Sequence, residues 1–216
     1  MTKIRTLLAD DHTILRDGIR IILEVQPDIC VVGEAQDGRE AVKLTSQLHP
    51  DVVLMDIAMP LLNGLEATRQ IRQANPQVKI LILTMHENED YIRQALAYGA
   101  VGYLLKDATA AELVAAVRAV YKGEAVLSPP VTRLVVENYL RWGDLQKDTS
   151  SDGLSPRERE ILQLIAEGYT NKQISDILSI SIKTVQTHRM NLMSKLGLHD
   201  RAELIKYAIQ RKIIDI

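Results

Sequence analysis

Two hydrophobic periodicities alternate along the first part of the chain. Short apolar runs, which are typical of strands, are each followed by a segment with apolar residues every three or four positions, which is typical of helices. The third run, Asp51–Asp56 (DVVLMD), has a continuous apolar interior and predicts a strand covered on both faces, as in a parallel sheet. Five such units predict a doubly wound parallel α/β domain. The predicted strands are Ile4–Ala9, Ile29–Glu34, Asp51–Asp56, Val78–Thr84 and Val101–Leu105.

Polar residues follow four of these strands at the point where each one ends. In doubly wound sheets, binding sites form beyond the carboxyl ends of the strands, so these residues are expected to meet at one edge. The residues that share this placement are Asp10, Asp11, Asp56, Thr84 and Lys106.

The three aspartates at this edge would repel one another unless a cation lies among them. Oxygen-only ligands suit Mg²⁺, which uses one or two carboxylates together with a phosphate and waters. Asp56 at a strand end is placed to attack a phosphorus atom. Lys106 would neutralise charge on the phosphoryl oxygens, and Thr84 would donate a hydrogen bond to one of them.

Beyond residue 122 the pattern changes. A connector, residues 123–153, contains Pro129-Pro130, a short helical pattern from Thr132 to Trp142 and a polar stretch that predicts a flexible linker. From Leu154 onward the pattern is helical only, and Ser155 followed by Pro and by Glu158 is a helix-start signal. The sequence therefore predicts three parts, residues 1–122, 123–153 and 154–216.

Composition and charge refine this picture only slightly. Residues 1–124 hold 13 Lys and Arg against 17 Asp and Glu (net −4), whereas residues 151–216 hold 10 against 8 (net +2). The difference has the sign expected if only the second half meets nucleic acid. The single cysteine, Cys30, excludes a disulfide within one chain and favours a reducing cytoplasm. No stretch is long or apolar enough to predict a membrane span.

The first part resembles the receiver domain of two-component signalling. The resemblance is carried by LLADDH (Leu7–His12), VVLMDIAMPLLNG (Val52–Gly64), ILILT (Ile80–Thr84) and GYLLKD (Gly102–Asp107). It implies a flavodoxin-like (CheY-like) five-stranded sheet, with Asp56 as phosphoacceptor. It also implies that Mg²⁺ is held by Asp10, Asp11, Asp56 and the backbone carbonyl of Ala58. Thr84 would be the switch hydroxyl, Tyr103 the aromatic that turns inward, and Lys106 the partner of the phosphoryl group.

The last part is similar to the four-helix LuxR-type helix-turn-helix domain of NarL/FixJ response regulators. The matching segments are LSPREREILQLIAEGYTNKQIS (Leu154–Ser175) and ISIKTVQTHRMNLMSKLGL (Ile180–Leu198). The second helix of such a unit enters the major groove with its N-terminal residues at the bases. We expect base contacts from Gln186, Thr187 and Met190. Phosphate contacts are expected from Lys183, Thr184, Arg189, Asn191 and Lys195, with a further backbone contact from Asn171 and Lys172. Two positions are ambiguous, because His188 can pack against the turn and Met190 can belong to the core.

Three classes of protein fit parts of the pattern. The first is a phosphorylation-switched DNA-binding transcription regulator, which is not an enzyme and has a sensor histidine kinase as its partner. The second is an aspartyl-phosphate hydrolase of the haloacid dehalogenase type, but Asp10 and Asp11 are adjacent where that class needs two acids separated by one residue. The third is a quorum-type LuxR regulator, which would not place Asp and Lys at the ends of parallel strands. The sequence favours the first.

A single helix-turn-helix reads few bases. Two copies on a repeated promoter site, about one helical turn apart, are therefore expected. This predicts a homodimer when the protein is phosphorylated.

Overall fold

The computed structural model describes residues 3–144, 153–211 and 213–214, with only the backbone given for 137–144. The chain divides into two compact units, residues 1–149 and 150–216. Among the described residues, no helix is both long and apolar enough to span a bilayer.

A parallel sheet forms the centre of the first unit. Its strand order is β2-β1-β3-β4-β5-β6, and all neighbours run parallel. The predicted doubly wound fold is confirmed, with one strand more than expected. The strands are β1 Ile4–Ala9, β2 Ile29–Ala35, β3 Val52–Met55, β4 Lys79–Thr84, β5 Gly102–Leu105 and β6 Val126–Leu127.

Helices cover both faces of this sheet because the strand side chains alternate between two apolar cores. In β3, Val53 and Met55 pack into one core, while Val52 and Leu54 pack into the other. Helices α1 and α5 supply the second core, and α2, α3 and α4 supply the first. The helices are α1 Thr13–Glu24, α2 Gly38–Leu48, α3 Gly64–Ala74, α4 Glu89–Ala97 and α5 Ala110–Tyr121.

The beginning of the predicted connector is part of the first unit. Strand β6 pairs with β5, and a sixth helix, α6 (Pro129–Asp144), packs against α4. Val131 is completely buried in the same core as Tyr103. The sequence boundary at residue 122 therefore falls before two elements that fold onto the sheet. Most of the predicted polar linker lies outside the described residues.

The described residues of the second unit form four helices, in agreement with the helical pattern predicted from Leu154 onward. They are α7 Pro156–Ala166, α8 Asn171–Leu178, α9 Ile182–Leu196 and α10 Arg201–Gln210. Helix α7 packs against α9 and α10, and α8 packs against α9. The capping box expected at the start of α7 is present, with the Ser155 hydroxyl accepting from the Glu158 N–H and the Glu158 carboxylate accepting from the Ser155 N–H.

A tight turn joins α8 to α9. Ser179 ends α8 in the left-handed conformation (φ 51°), and the Ser181 hydroxyl caps α9 by accepting from the backbone N–H of Thr184. Ile174, Leu178 and Val185 are buried between the two helices. This geometry is that of a helix-turn-helix.

Candidate functional site

The carboxyl edge of the sheet brings the predicted acidic residues together. Ligand oxygens of Asp10, Asp11 and Asp56 and a ring nitrogen of His12 all lie within 4.8 Å of one another. Asp10 and Asp56 are 4% and 3% exposed, whereas Asp11 faces solvent. The cluster is thus open on one side and enclosed on the other.

Lys106 lies in the enclosed part of this cluster. Its Nζ is 2.7 Å from Oδ2 of Asp56 and 2.8 Å from Oδ2 of Asp10. Burial opposes the charged form of Lys106, but the charge of Asp56 and the hydrogen bonds to both carboxylates outweigh it and raise the pKa of Lys106. The lysine is therefore a fixed positive charge at the site.

Asp56 is held rigidly by its own backbone and by its neighbours. Its Oδ1 accepts from the N–H of Ile57 at 2.8 Å, and its own N–H donates to the carbonyl of Ala9 at 2.8 Å. Burial is the largest influence on this carboxyl and raises its pKa despite the opposing effect of Lys106. A glycine at position 64 is required, because a Cβ there would lie 1.8 Å from the carbonyl oxygen of Asp56.

Thr84 and Tyr103 lie next to the cluster on β4 and β5. Both are completely buried, and the Thr84 hydroxyl is 3.4 Å from the N–H of His86. The Tyr103 hydroxyl donates to the carbonyl of His86 at 2.7 Å, so the ring is in its inward position. Ala58 is partly exposed in the loop after β3.

The second unit presents a polar face along α9. Lys183, Gln186, Thr187 and Asn191 are exposed, and Thr184 and Arg189 are partly exposed. Met190 is 64% exposed, so it is a surface residue and does not belong to the core. His188 is partly exposed. Asn171 and Lys172 open α8, with Thr170 as the N-cap.

Lys195 differs from the other residues of this face. Its Nζ lies 2.7 Å from Oε2 of the buried Glu158 and 3.1 Å from the carbonyl of Gly153. The ammonium is thus engaged within its own unit, and the phosphate contact expected of Lys195 from the sequence stays a prediction.

Family models match both units of the chain. Residues 6–118 match the response regulator receiver domain, and residues 152–208 match the bacterial regulatory proteins of the luxR family. The chain belongs to the response regulators. It is of the NarL/FixJ-like kind, a two-component regulator with a LuxR-type DNA-binding domain, and not an enzyme.

Named relatives and solved structures match large parts of this response regulator. The oxygen regulatory protein NreC of Staphylococcus carnosus is 42% identical over 215 residues, covering 98% of this chain and 99% of that protein. A crystal structure of a LuxR-family response regulator from Aurantimonas is 40% identical, with a TM-score of 0.61, over 64% of this chain and 99% of that one. The response regulator RcsB, solved in complex with DNA, is 30% identical, with a TM-score of 0.59, over 95% of this chain and 98% of that one.

Three residues that contact the predicted site residues were not identified from the sequence alone. His12 touches Asp10 at 3.1 Å and Asp11 at 2.8 Å through Nδ1, and its position directly after the two acids was the available signal. Glu158 appeared only as a capping residue, because its partner Lys195 is 37 positions away. His86, whose carbonyl accepts from Tyr103, carried no signal in the sequence.

Proposed function

We propose that this response regulator is switched by phosphorylation of Asp56, with Mg²⁺ as cofactor and a sensor histidine kinase as the donor. The observation that carries the proposal is the double contact of Lys106 with Asp56 and Asp10 at the carboxyl edge of the sheet. A buried lysine held between two carboxylates is placed to pair with a phosphoryl group on one of them.

The donor set fits a hard divalent cation. Asp10, Asp11 and Asp56 offer carboxylate oxygens within reach of one another, and the backbone carbonyl of Ala58 would complete the protein ligands. Mg²⁺, when bound, would reduce the repulsion between these carboxylates and the oxygens of an incoming phosphoryl group.

The chemistry assigned to Asp56 is nucleophilic. A carboxylate oxygen of Asp56 forms a bond to phosphorus as the bond from phosphorus to the histidine nitrogen of the kinase breaks, and that nitrogen keeps the electron pair. The product is an acyl phosphate, and Lys106 transfers its contact from the carboxylate to the phosphoryl oxygens.

Thr84 and Tyr103 would change conformation when Asp56 is phosphorylated. A phosphoryl oxygen at Asp56 gives the Thr84 hydroxyl a strong acceptor, and its movement leaves room that favours the inward Tyr103. The structure already has the Tyr103 ring inward, with its hydroxyl bonded to the His86 carbonyl. Phosphorylation would therefore increase the population of a conformation that this fold can adopt.

DNA would bind to the exposed face of α9. Gln186, Thr187 and Met190 would meet base edges in the major groove of a promoter repeat. The phosphate contacts would come from Lys183, Thr184, Arg189 and Asn191, with Asn171 and Lys172 adding contacts at the start of α8. RcsB was solved as dimers bound to DNA, and we propose that the phosphorylated form of this protein also binds as a homodimer.

Incubation with acetyl phosphate and Mg²⁺ tests the proposal. The wild-type chain is expected to gain one acid-labile phosphoryl group and to bind promoter DNA more tightly, whereas Asp56→Asn gains none. Asp51→Asn is the matched control, because Asp51 directly precedes β3, at the end away from Asp56, and should leave phosphorylation unchanged. Equal labelling of wild type and Asp56→Asn would refute the assignment.

A further inference from the structure

Arg16 is a buried arginine that contacts the acidic cluster through the backbone of Asp10 and not through a carboxylate. Its side chain is 6% exposed. Its Nη1 donates to the backbone carbonyl of Asp10 at 2.6 Å, and its Nε donates to Oε2 of Glu34 at 2.9 Å. Because Arg16 lies on α1, Asp10 follows β1 and Glu34 lies on β2, one guanidinium joins three segments of the chain.

Asp10 is fixed on every side by such contacts. Its N–H donates to the carbonyl of Ala35 at 3.1 Å, and its Oδ1 accepts from the N–H of His12 at 2.8 Å. Its Oδ2 is the atom that contacts Lys106, and its carbonyl is the atom that accepts from Arg16. The orientation of this peptide determines where the carboxylates of Asp10 and Asp11 point.

The contribution of Arg16 is geometric. The charge of its guanidinium is balanced by Glu34, so the pair adds no net positive charge that would offset the three aspartates. The guanidinium does offer two donors in a fixed fork, and each is used on a different segment. Removal of a group that hydrogen-bonds to a metal ligand and orients it lowers the metal affinity by about 10- to 100-fold.

We propose that Arg16 is a positioning residue that holds the Asp10–Asp11 peptide in the geometry needed to bind the divalent cation. The inference rests on the proposed function, because it assigns the cation to these carboxylates. Under this inference, Arg16 on α1 contributes to the affinity for the cation although it contacts neither the cation nor the phosphoryl group.

The test is calorimetric titration of the full-length protein with Mg²⁺. Arg16→Lys keeps the charge but cannot reach both Asp10 and Glu34, and it is expected to raise the Mg²⁺ Kd about tenfold. Arg20→Gln is the matched control, since Arg20 also contacts Glu34, at 3.3 Å from its Nε, and lies one turn further along the same helix. Its Kd should stay within about twofold of wild type.

Hydrogen exchange without Mg²⁺ provides a second measurement. The amide of His12, which donates to Asp10, should exchange faster in Arg16→Lys and at the wild-type rate in Arg20→Gln. If Arg16→Lys does not fold, Glu34→Gln replaces it and should raise the Kd about threefold, since it weakens the contact to Nε of Arg16 and leaves the contact of Arg16 with the Asp10 carbonyl in place. Arg20→Gln controls for the contact with Arg20 that Glu34→Gln also weakens.

The outcomes separate the two proposals. A wild-type protein that binds no Mg²⁺ overturns the proposed cofactor and this inference together. A wild-type protein that binds Mg²⁺, with an unchanged Kd in folded Arg16→Lys or, failing that, in Glu34→Gln, overturns this inference alone.

Discussion

Lys195 on α9 and Glu158 on α7 form an ion pair of 2.7 Å, in which the glutamate side chain is 4% exposed and the lysine side chain 43% exposed. Glu158 also accepts from the backbone N–H of Ser155 at 2.7 Å. One buried carboxylate therefore caps the first helix of its unit and fastens the end of the proposed recognition helix to it.

Replacement of Lys195 by Met should destabilise the second unit. The buried Glu158 would lose its charged partner, and after allowance for the partly exposed ammonium the expected cost is about 2 kcal/mol. Hydrogen exchange of α7 and α9 amides in the full-length protein measures it. Lys183→Met, an exposed position on the same helix, is the control and should cost little. Unchanged exchange combined with weaker DNA binding would favour the phosphate contact expected of Lys195 over a stabilising role.

The same pair predicts an acid-dependent loss of stability. Burial would raise the pKa of Glu158, but the hydrogen bonds from Lys195 and Ser155 outweigh it, and the pKa is lowered from the ordinary value of 4.5. A carboxyl whose pKa is lowered on folding stabilises the fold above its unfolded value, and this stabilisation is lost as the pH falls through the folded value. The protection factors of the α7 amides, which are corrected for the intrinsic exchange rate at each pH, should therefore fall below about pH 4.5. Glu158→Gln should flatten this dependence, and an equally steep profile in that variant would contradict the assignment.

Two glycines on the first unit should respond oppositely to alanine. At Gly64 a Cβ would overlap the Asp56 carbonyl, so Gly64→Ala must displace the loop after β3 and should cost about 3 kcal/mol and slow phosphorylation by acetyl phosphate. At Gly18, within α1, a Cβ would have nothing within 4 Å, and Gly18→Ala should add about 0.5–1 kcal/mol. Urea unfolding measures both changes. A neutral or stabilising effect of Gly64→Ala would show that the close approach at Gly64 is not needed.

Helix α6 offers a matched pair that tests its attachment to the sheet. Val131 is fully buried in the first core, whereas Val136 on the same helix is 68% exposed. Val131→Asp buries a charge and should lower the stability of the first unit by about 3 kcal/mol or more, while Val136→Asp should change it by less than about 0.5 kcal/mol. Urea unfolding distinguishes them, and equal effects would mean that α6 does not pack here in solution.

DNA binding should separate phosphate contacts from base contacts. Lys183→Met should reduce the slope of log K against log salt by about 1, because one fewer counterion is released from the duplex. Gln186→Ala should leave the slope unchanged and weaken binding to the specific site by about 1–3 kcal/mol. Fluorescence anisotropy over a range of salt concentrations measures both. A slope that falls for Gln186→Ala and not for Lys183→Met would reverse the two assignments.

The sequence predicted the first unit well where one rule sufficed. Residues that follow parallel strands must meet at one edge, so the proximity of Asp10, Asp56 and Lys106 could be predicted from the sequence. The helix start at Ser155 could be predicted equally locally, and it is present as a capping box.

The sequence did not predict the contacts that depend on how distant elements pack. Strand β6 has only two residues, Val126 and Leu127, which is too short to show an alternation, and it forms because β5 offers a parallel edge. The pairing of Lys195 with Glu158 depends on the packing of α9 against α7. Arg16 looked like one polar position in an amphipathic helix, and only the pairing of β1 with β2 brings Glu34 within its reach.

Strand β6 closes the side of the sheet that β5 would otherwise leave open. Its two residues pair with Gly102 and Tyr103, and Ser128 donates to the Tyr103 carbonyl at 3.0 Å. A receiver fragment cut at residue 122 would therefore expose unpaired amides and carbonyls beside an apolar core, which is a template for aggregation. Expression of this half as a well-behaved fragment calls for an end point beyond α6, and a fragment that stops earlier would misrepresent how the intact receiver associates.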